Sequence, residues 1–117
     1  MSRTFDVSTA PDPTPSCVQV HYRVGGSREA YRALADAAAP HLAQVPGLRW
    51  KLWLLDEPSG EAAGIYLFAD GDAARAFVEG PTLDGLRQHP GITGVEVRRL
   101  DVLTELSLAT FGHRAGL

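Results

Sequence analysis

Apolar and polar residues alternate from Cys17 to Val24. Val18, Val20, Tyr22 and Val24 fall on one side, and Cys17, Gln19, His21 and Arg23 on the other. A period of two is the mark of a half-buried strand, and Gly25-Gly26 ends it. The period then lengthens. Across 28–44, Tyr31, Leu34, Ala35, Ala38 and Leu42 recur at helical spacing behind Ser27, a residue type suited to a helix N-cap. This predicts an amphipathic helix with one side packed on a sheet. Pro40 falls inside the pattern and should kink or shorten the last turn.

Pro46-Gly47 is a turn, and 48–55 and 61–69 read as two strands joined by the turn-rich loop 56–60, a hairpin. Asp70 or Gly71 caps a helix over 72–79, Gly80-Pro81 breaks it, and Thr82 caps a second short helix running to His89. After Pro90-Gly91, residues 92–103 alternate again as a fourth strand. The order β-α-β-β-α-β predicts an α+β, ferredoxin-like domain, a four-stranded antiparallel sheet with helices on one face. Trp53, Tyr66 and Phe68 are expected on the opposite face, too apolar to stand in water. Stacking on a second copy of the same sheet would cover it, which predicts a homodimer.

Residues 1–16 carry Pro11, Pro13 and Pro15 with little apolar surface, and read as a flexible Pro-rich leader. The domain is expected over 17–104, with 105–117 as a C-terminal arm whose Leu106, Leu108 and Phe111 could anchor on a partner. The 117 residues suit one domain. A net charge of −3 gives no basic stripe for nucleic acid. No apolar run reaches the roughly 20 residues that span a bilayer, so no membrane partner is expected. The leader lacks an apolar core, so it is no secretory signal, and cytoplasmic is the expected location. The single Cys17 cannot form an internal disulfide.

Several segments carry a family likeness. Pro46-Gly47-Leu48-Arg49-Trp50-Lys51-Leu52-Trp53, followed by Glu61-Ala62-Ala63-Gly64-Ile65-Tyr66-Leu67-Phe68, resembles the hairpin of the YdhR-type monooxygenase family, P-G-[FL]-x-W-K-x-W and then E-x-G-G-I-Y-L-F. Gln19-Val20-His21-Tyr22 and Leu100-Asp101-Val102 are similar to further family segments. The chain departs from the family in its leader and in Ala63, where the family usually has Gly. The resemblance implies a dimeric α+β barrel akin to the antibiotic-biosynthesis monooxygenases, which oxidise polycyclic aromatics without metal or flavin.

Trp50 and Trp53, three apart on one strand, point to opposite faces. Trp50 would meet the helices and Trp53 the partner, and either could wall a pocket for a flat ring; core or interface packing is the plain alternative. Tyr66 could donate a hydrogen bond to a substrate carbonyl or enolate, or be satisfied by nearby backbone. Phe68 and Phe77 are further candidate walls. His21, on the polar side of the first strand, is the candidate proton acceptor, against a structural role across the sheet. Arg98 could hold an anionic substrate group, against an ion pair at a dimer interface. His41 and His89 sit at helix ends and read as solvated or as completing a helix C-terminus. In the wider monooxygenase and haem-degrading group a His in the region of His89 can bind substrate. His113 in the tail carries no assignment.

There is no phosphate loop, nucleophile elbow or metal-spacing motif. The expectation is a monooxygenase with no cofactor and no metal, acting on a hydrophobic aromatic or polyketide-like small molecule able to supply its own electrons. The alternatives are a non-oxidative cyclase or isomerase of secondary metabolism on the same scaffold, and a small-molecule-binding dimer without turnover.

Overall fold

The computed structural model describes residues 14–111. The leader segment 1–13, His113 and the end of the arm lie outside the described residues. The elements run β1 (Ser16–Val24), α1 (Arg28–Leu42), β2 (Leu48–Asp56), β3 (Glu61–Phe68), α2 (Gly71–Val78), α3 (Pro81–Gln88), β4 (Ile92–Asp101) and α4 (Thr104–Phe111). The four strands form one antiparallel sheet in the order β2-β3-β1-β4. This is the expected ferredoxin-like β-α-β-β-α-β arrangement, with β3 and β1 at its centre.

Local chemistry fixes the helix starts. The Ser27 hydroxyl accepts from the Ala30 N–H at 3.0 Å, and an Asp70 carboxylate oxygen accepts from the Ala73 N–H at 2.8 Å. Each such cap is worth about 1 kcal/mol. Helix α3 begins differently from the expectation. Gly80 is its N-cap, with no side-chain bond, and Pro81 opens the first turn. Proline suits that position because its missing N–H would have no helical partner there. Thr82 is therefore inside the helix rather than capping it. Helix α1 continues past Pro40 for two residues and stops at Leu42.

One sheet face carries the core. Val18, Val20, Tyr22 and Val24 of β1 and Ala62, Tyr66 and Phe68 of β3 are buried against Tyr31 and Leu42 of α1, Phe77 of α2 and Leu83 of α3. Tyr66, Phe68 and Phe77 form an aromatic cluster, with Phe77 4.7 Å from Tyr66 and 5.2 Å from Phe68 between ring centroids.

This reverses the face assignment drawn from alternation. Val18 pairs with Tyr66 on one side and Lys51 pairs with Tyr66 on the other. Directly paired residues share a face, so Lys51, Trp53, Tyr66 and Phe68 all lie beneath the helices. Trp50, Leu52 and Leu54 pair with Leu67, Ile65 and Ala63, on the uncovered face. A bulge between Leu48 and Trp50 adds Arg49 and puts Leu48 opposite Phe68, back on the helix side. One extra residue is enough to switch a side chain between faces. The uncovered face also holds Gln19, His21, Arg98 and Leu100. No residue of α4 is buried, and Leu106, Leu108 and Phe111 stand exposed.

Candidate active site

Between the covered sheet face and helices α1 and α3 lies a chamber of about 180 Å³. Its floor is Tyr22, Lys51, Trp53 and Tyr66. Tyr31, Leu34, Ala35 and Ala38 of α1 close one side, and Leu83, Leu86 and His89, on α3 and just past its end, close the other. The sequence makes this space in two ways. The α1 stripe places the small Ala35 and Ala38 over the sheet, so the helix cannot fill the gap beneath it. On the floor, Gly64 sits between Val20 and Trp53 in register. A Cβ there would lie 2.9 Å from a Tyr66 ring carbon and 3.0 Å from Lys51 Cε, so only glycine lets both side chains settle. An apolar cavity of roughly 150 Å³ accepts benzene, so the chamber takes one aromatic ring, and a second, fused ring reaches out through the mouth toward the adjoining clefts. Two shallower clefts, of about 450 and 260 Å³, share Trp53 with it, and the smaller also shares Lys51. Trp53 and Lys51 thus stand at the mouth.

The polar groups of the chamber are few and unusual. The Tyr22 and Tyr31 hydroxyls lie 2.5 Å apart and bond each other. Burial, and then that bond, hold the Tyr22 phenol above its ordinary range. Tyr66 is only 5% exposed, and burial raises its phenol as well. Its hydroxyl makes no hydrogen bond to any of the described residues. Lys51 Nζ sits 3.2 Å from the centroid of a Trp53 ring and 4.6 Å from that of Tyr66. It has no acidic or hydrogen-bonding partner among the described residues. Burial pushes its ammonium down to about 7, while the two ring faces favour the charged form. His89 Nδ1 accepts the Gly91 N–H at 3.0 Å, which leaves Nε2 to carry the proton of the neutral ring.

The structure brings together two of the residues singled out from the sequence, Trp53 and Tyr66. Phe68 and Phe77 lie in the core behind Tyr66, where they fix its ring rather than line the chamber. His21 is exposed on the uncovered face opposite Glu96 and Ala63, and Arg98 is on the same face opposite Gln19. Neither reaches the chamber. Trp50 is 42% exposed and borders the smaller cleft beside the end of α1. The sequence reading passed over Tyr22, Tyr31 and Lys51, and set His89 at a helix end. The signal for Lys51 was present: it is a cation sharing a face with Trp53 and Leu55. Among the described residues no three His, Cys, Asp or Glu side chains gather as a metal site.

A family model described as "Putative mono-oxygenase ydhR" matches residues 17–113. No curated protein matches the sequence. Among solved structures, a Nitrosomonas europaea protein of unknown function aligns with a TM-score of 0.65 at 18% identity, covering 78% of this chain and 91% of that one. The cofactor-independent oxygenase SnoaB of Streptomyces nogalater aligns with a TM-score of 0.62 at 16% identity, over 76% of this chain and 93% of its own. A hydroxynitrile lyase from Passiflora edulis aligns with a TM-score of 0.60 at 14% identity, over 78% and 95%. At these identities the three alignments establish a shared fold.

Proposed function

The chain belongs to the ydhR mono-oxygenase family, and from that premise we propose that it oxidises a hydrophobic aromatic small molecule with molecular oxygen, in the chamber between sheet and helices and without a bound cofactor. The observation that carries the reading is a chamber with aromatic walls in which the buried Tyr66 hydroxyl lacks a partner among the described residues. A buried hydroxyl normally finds one, and the oxygen of a phenolic or enolic substrate supplies it. Trp53 and Tyr31 offer ring faces to stack on, and His89 offers an N–H donor. The structural likeness to SnoaB, a cofactor-independent oxygenase, supports the same reading.

The chemistry asks little of the protein if the substrate is electron-rich. A phenol ionises, its proton leaving through the mouth, and the ring carbon of the phenolate adds to oxygen to give a hydroperoxide. Loss of water then gives a quinone. One oxygen atom enters the product and the other becomes water, with every electron drawn from the substrate. The walls hold the ring, keep bulk water away and stabilise the anion.

The test is oxygen consumption with a panel of hydroxynaphthalenes, with ¹⁸O₂ tracing. The expected outcome is uptake above the uncatalysed rate, with one labelled atom in the product. Turnover that continues anaerobically would replace this with a non-oxidative isomerase or cyclase. That second reading is favoured by the proton-donating groups Tyr66 and His89, and the scaffold it requires is also that of a lyase.

The homodimer belongs to the same proposal. The uncovered sheet face leaves Leu54 and Leu100 about half exposed, and α4 presents Leu106, Leu108 and Phe111 to solvent. Such surface is costly in water and is relieved by a second copy. Light scattering at micromolar concentration should return twice the chain mass; a compact monomer would contradict it.

A further inference from the structure

Two polar groups in the chamber lack partners among the described residues, and both are donors. The Tyr66 hydroxyl is buried. The Lys51 ammonium is pinned between the Trp53 and Tyr66 rings, with no carboxylate against it. A lysine sunk in an aromatic wall normally pairs with an acid or reaches water. Here the nearby carboxylates Asp36 and Glu57 border the adjoining cleft with Arg32, not the chamber. The titratable groups that line the chamber with Lys51 are the phenols of Tyr22, Tyr31 and Tyr66 and the imidazole of His89. Arg49, two residues before it on β2, borders the smaller cleft and adds positive charge. Gly64 lets Lys51 and Tyr66 lie against each other, since a Cβ would meet both.

We infer that Lys51 and Tyr66 together form an anion-binding pair at the chamber mouth, so that the ligand is an aromatic compound bearing an anionic oxygen, as in a phenolate, enolate or carboxylate. This rests on the chamber being the substrate site. It adds what the aromatic walls alone do not specify, the charge of the ligand. Lys51 Nζ supplies the countercharge and Tyr66 a hydrogen bond to the same oxygen, while Trp53 and Tyr31 take the ring. For an oxidation that begins from a phenolate, the ammonium stabilises the anion and so favours ionisation of the bound phenol.

The test compares naphthalene-2-carboxylate with the neutral naphthalene-2-carboxamide by isothermal titration calorimetry at pH 6, where the Lys51 ammonium is charged. The unmodified protein should bind the carboxylate about tenfold or more tightly than the carboxamide, the size of one charge-assisted hydrogen bond. Lys51→Met, which keeps the aliphatic stem, should abolish that preference by weakening carboxylate binding far more than carboxamide binding. A second measurement needs no variant. Between pH 6 and pH 9 the unmodified protein should lose about tenfold or more in carboxylate affinity as the free ammonium deprotonates, with carboxamide affinity constant. In Lys51→Met the carboxylate affinity should not change between these pH values. Equal binding of the two probes, or a preference that survives in Lys51→Met, would overturn the anion-binding pair while leaving the chamber as a binding site. Binding of neither probe would overturn the chamber and the pair with it.

Discussion

Replacing Tyr66 by Phe should stabilise the fold and damage its function. The ring of Tyr66 is held by Phe77 at 4.7 Å and by Phe68 at 6.5 Å between centroids, and Phe preserves all of that packing. Only the hydroxyl is lost. Were it bonded within the protein, its removal would cost about 1 kcal/mol. It has no such bond among the described residues and is 5% exposed. Burying an unbonded hydroxyl costs roughly 1–3 kcal/mol. The chamber is open at its mouth, which places the effect at the lower end, so Tyr66→Phe should gain about 1 kcal/mol. For a domain of this size that raises Tm by about 4–8 °C. Thermal unfolding followed by circular dichroism reads the first effect, and oxygen uptake with the best hydroxynaphthalene reads the second. A lost hydrogen bond to a charged oxygen is worth roughly 1.5–3 kcal/mol, a drop of about tenfold or more in kcat/KM. Destabilisation of 1 kcal/mol or more, or full activity in the variant, would refute the reasoning.

Gly64→Ala should act through space rather than chemistry. The new methyl would crowd the Tyr66 ring, which Phe77 and Phe68 prevent from retreating, and Lys51 Cε. Overpacking costs roughly 1–3 kcal/mol, against about 0.4–1 kcal/mol gained by restricting the unfolded chain, so Tm should fall and carboxamide binding weaken; an unchanged or raised Tm would contradict this. Phe77→Ala removes a buried ring from the cluster behind Tyr66 and should cost about 3–5 kcal/mol in denaturant unfolding; a loss under 1 kcal/mol would show the cluster to be loosely packed. Lys51 gives stability a pH dependence. Its folded value of about 7 lies below the ordinary 10.5, so the unfolded chain binds the extra proton between those limits and stability rises with pH across them. The ring faces return part of the desolvation, leaving about 2 kcal/mol. Above pH 10 the trend reverses, because Tyr22 and Tyr66, kept protonated by burial, ionise on unfolding. The rise between pH 7 and 10 should vanish in Lys51→Met; an equal rise there would assign it to another group.

Most of the architecture is legible in the chain because its punctuation is strong. Period-two runs, an Ala- and Leu-rich helical stripe and turns at Gly25-Gly26, Pro46-Gly47 and Pro90-Gly91 mark the elements from β1 to β4, which follow within a few residues; α4, expected only as an arm, has no such mark. The side of the sheet that meets the helices was not legible. Trp50, Leu52 and Leu54 make the more apolar face of β2, so alternation alone sends them inward. Register overrides that preference, since Lys51 and Trp53 pair with Tyr66 and Gly64. The bulge at Arg49 has no sequence mark. Only part of the candidate site was legible: Trp53 and Tyr66 were visible as aromatics, but Lys51 was not, because a lysine beside a tryptophan reads as a solvated charge until its burial is known. His21 looked suited to proton transfer by residue type, and the register turns it to the other face.

A ¹H–¹⁵N NMR titration with 2-naphthol, on the assigned 117-residue chain, tests the central claim most directly. The account predicts the largest shifts at Tyr22, Tyr31, Lys51, Trp53, Tyr66 and His89, around the chamber. His21, Arg98 and Leu100, on the uncovered face, should stay still. The reverse pattern, with shifts gathered on that outer face and the chamber residues silent, would contradict it.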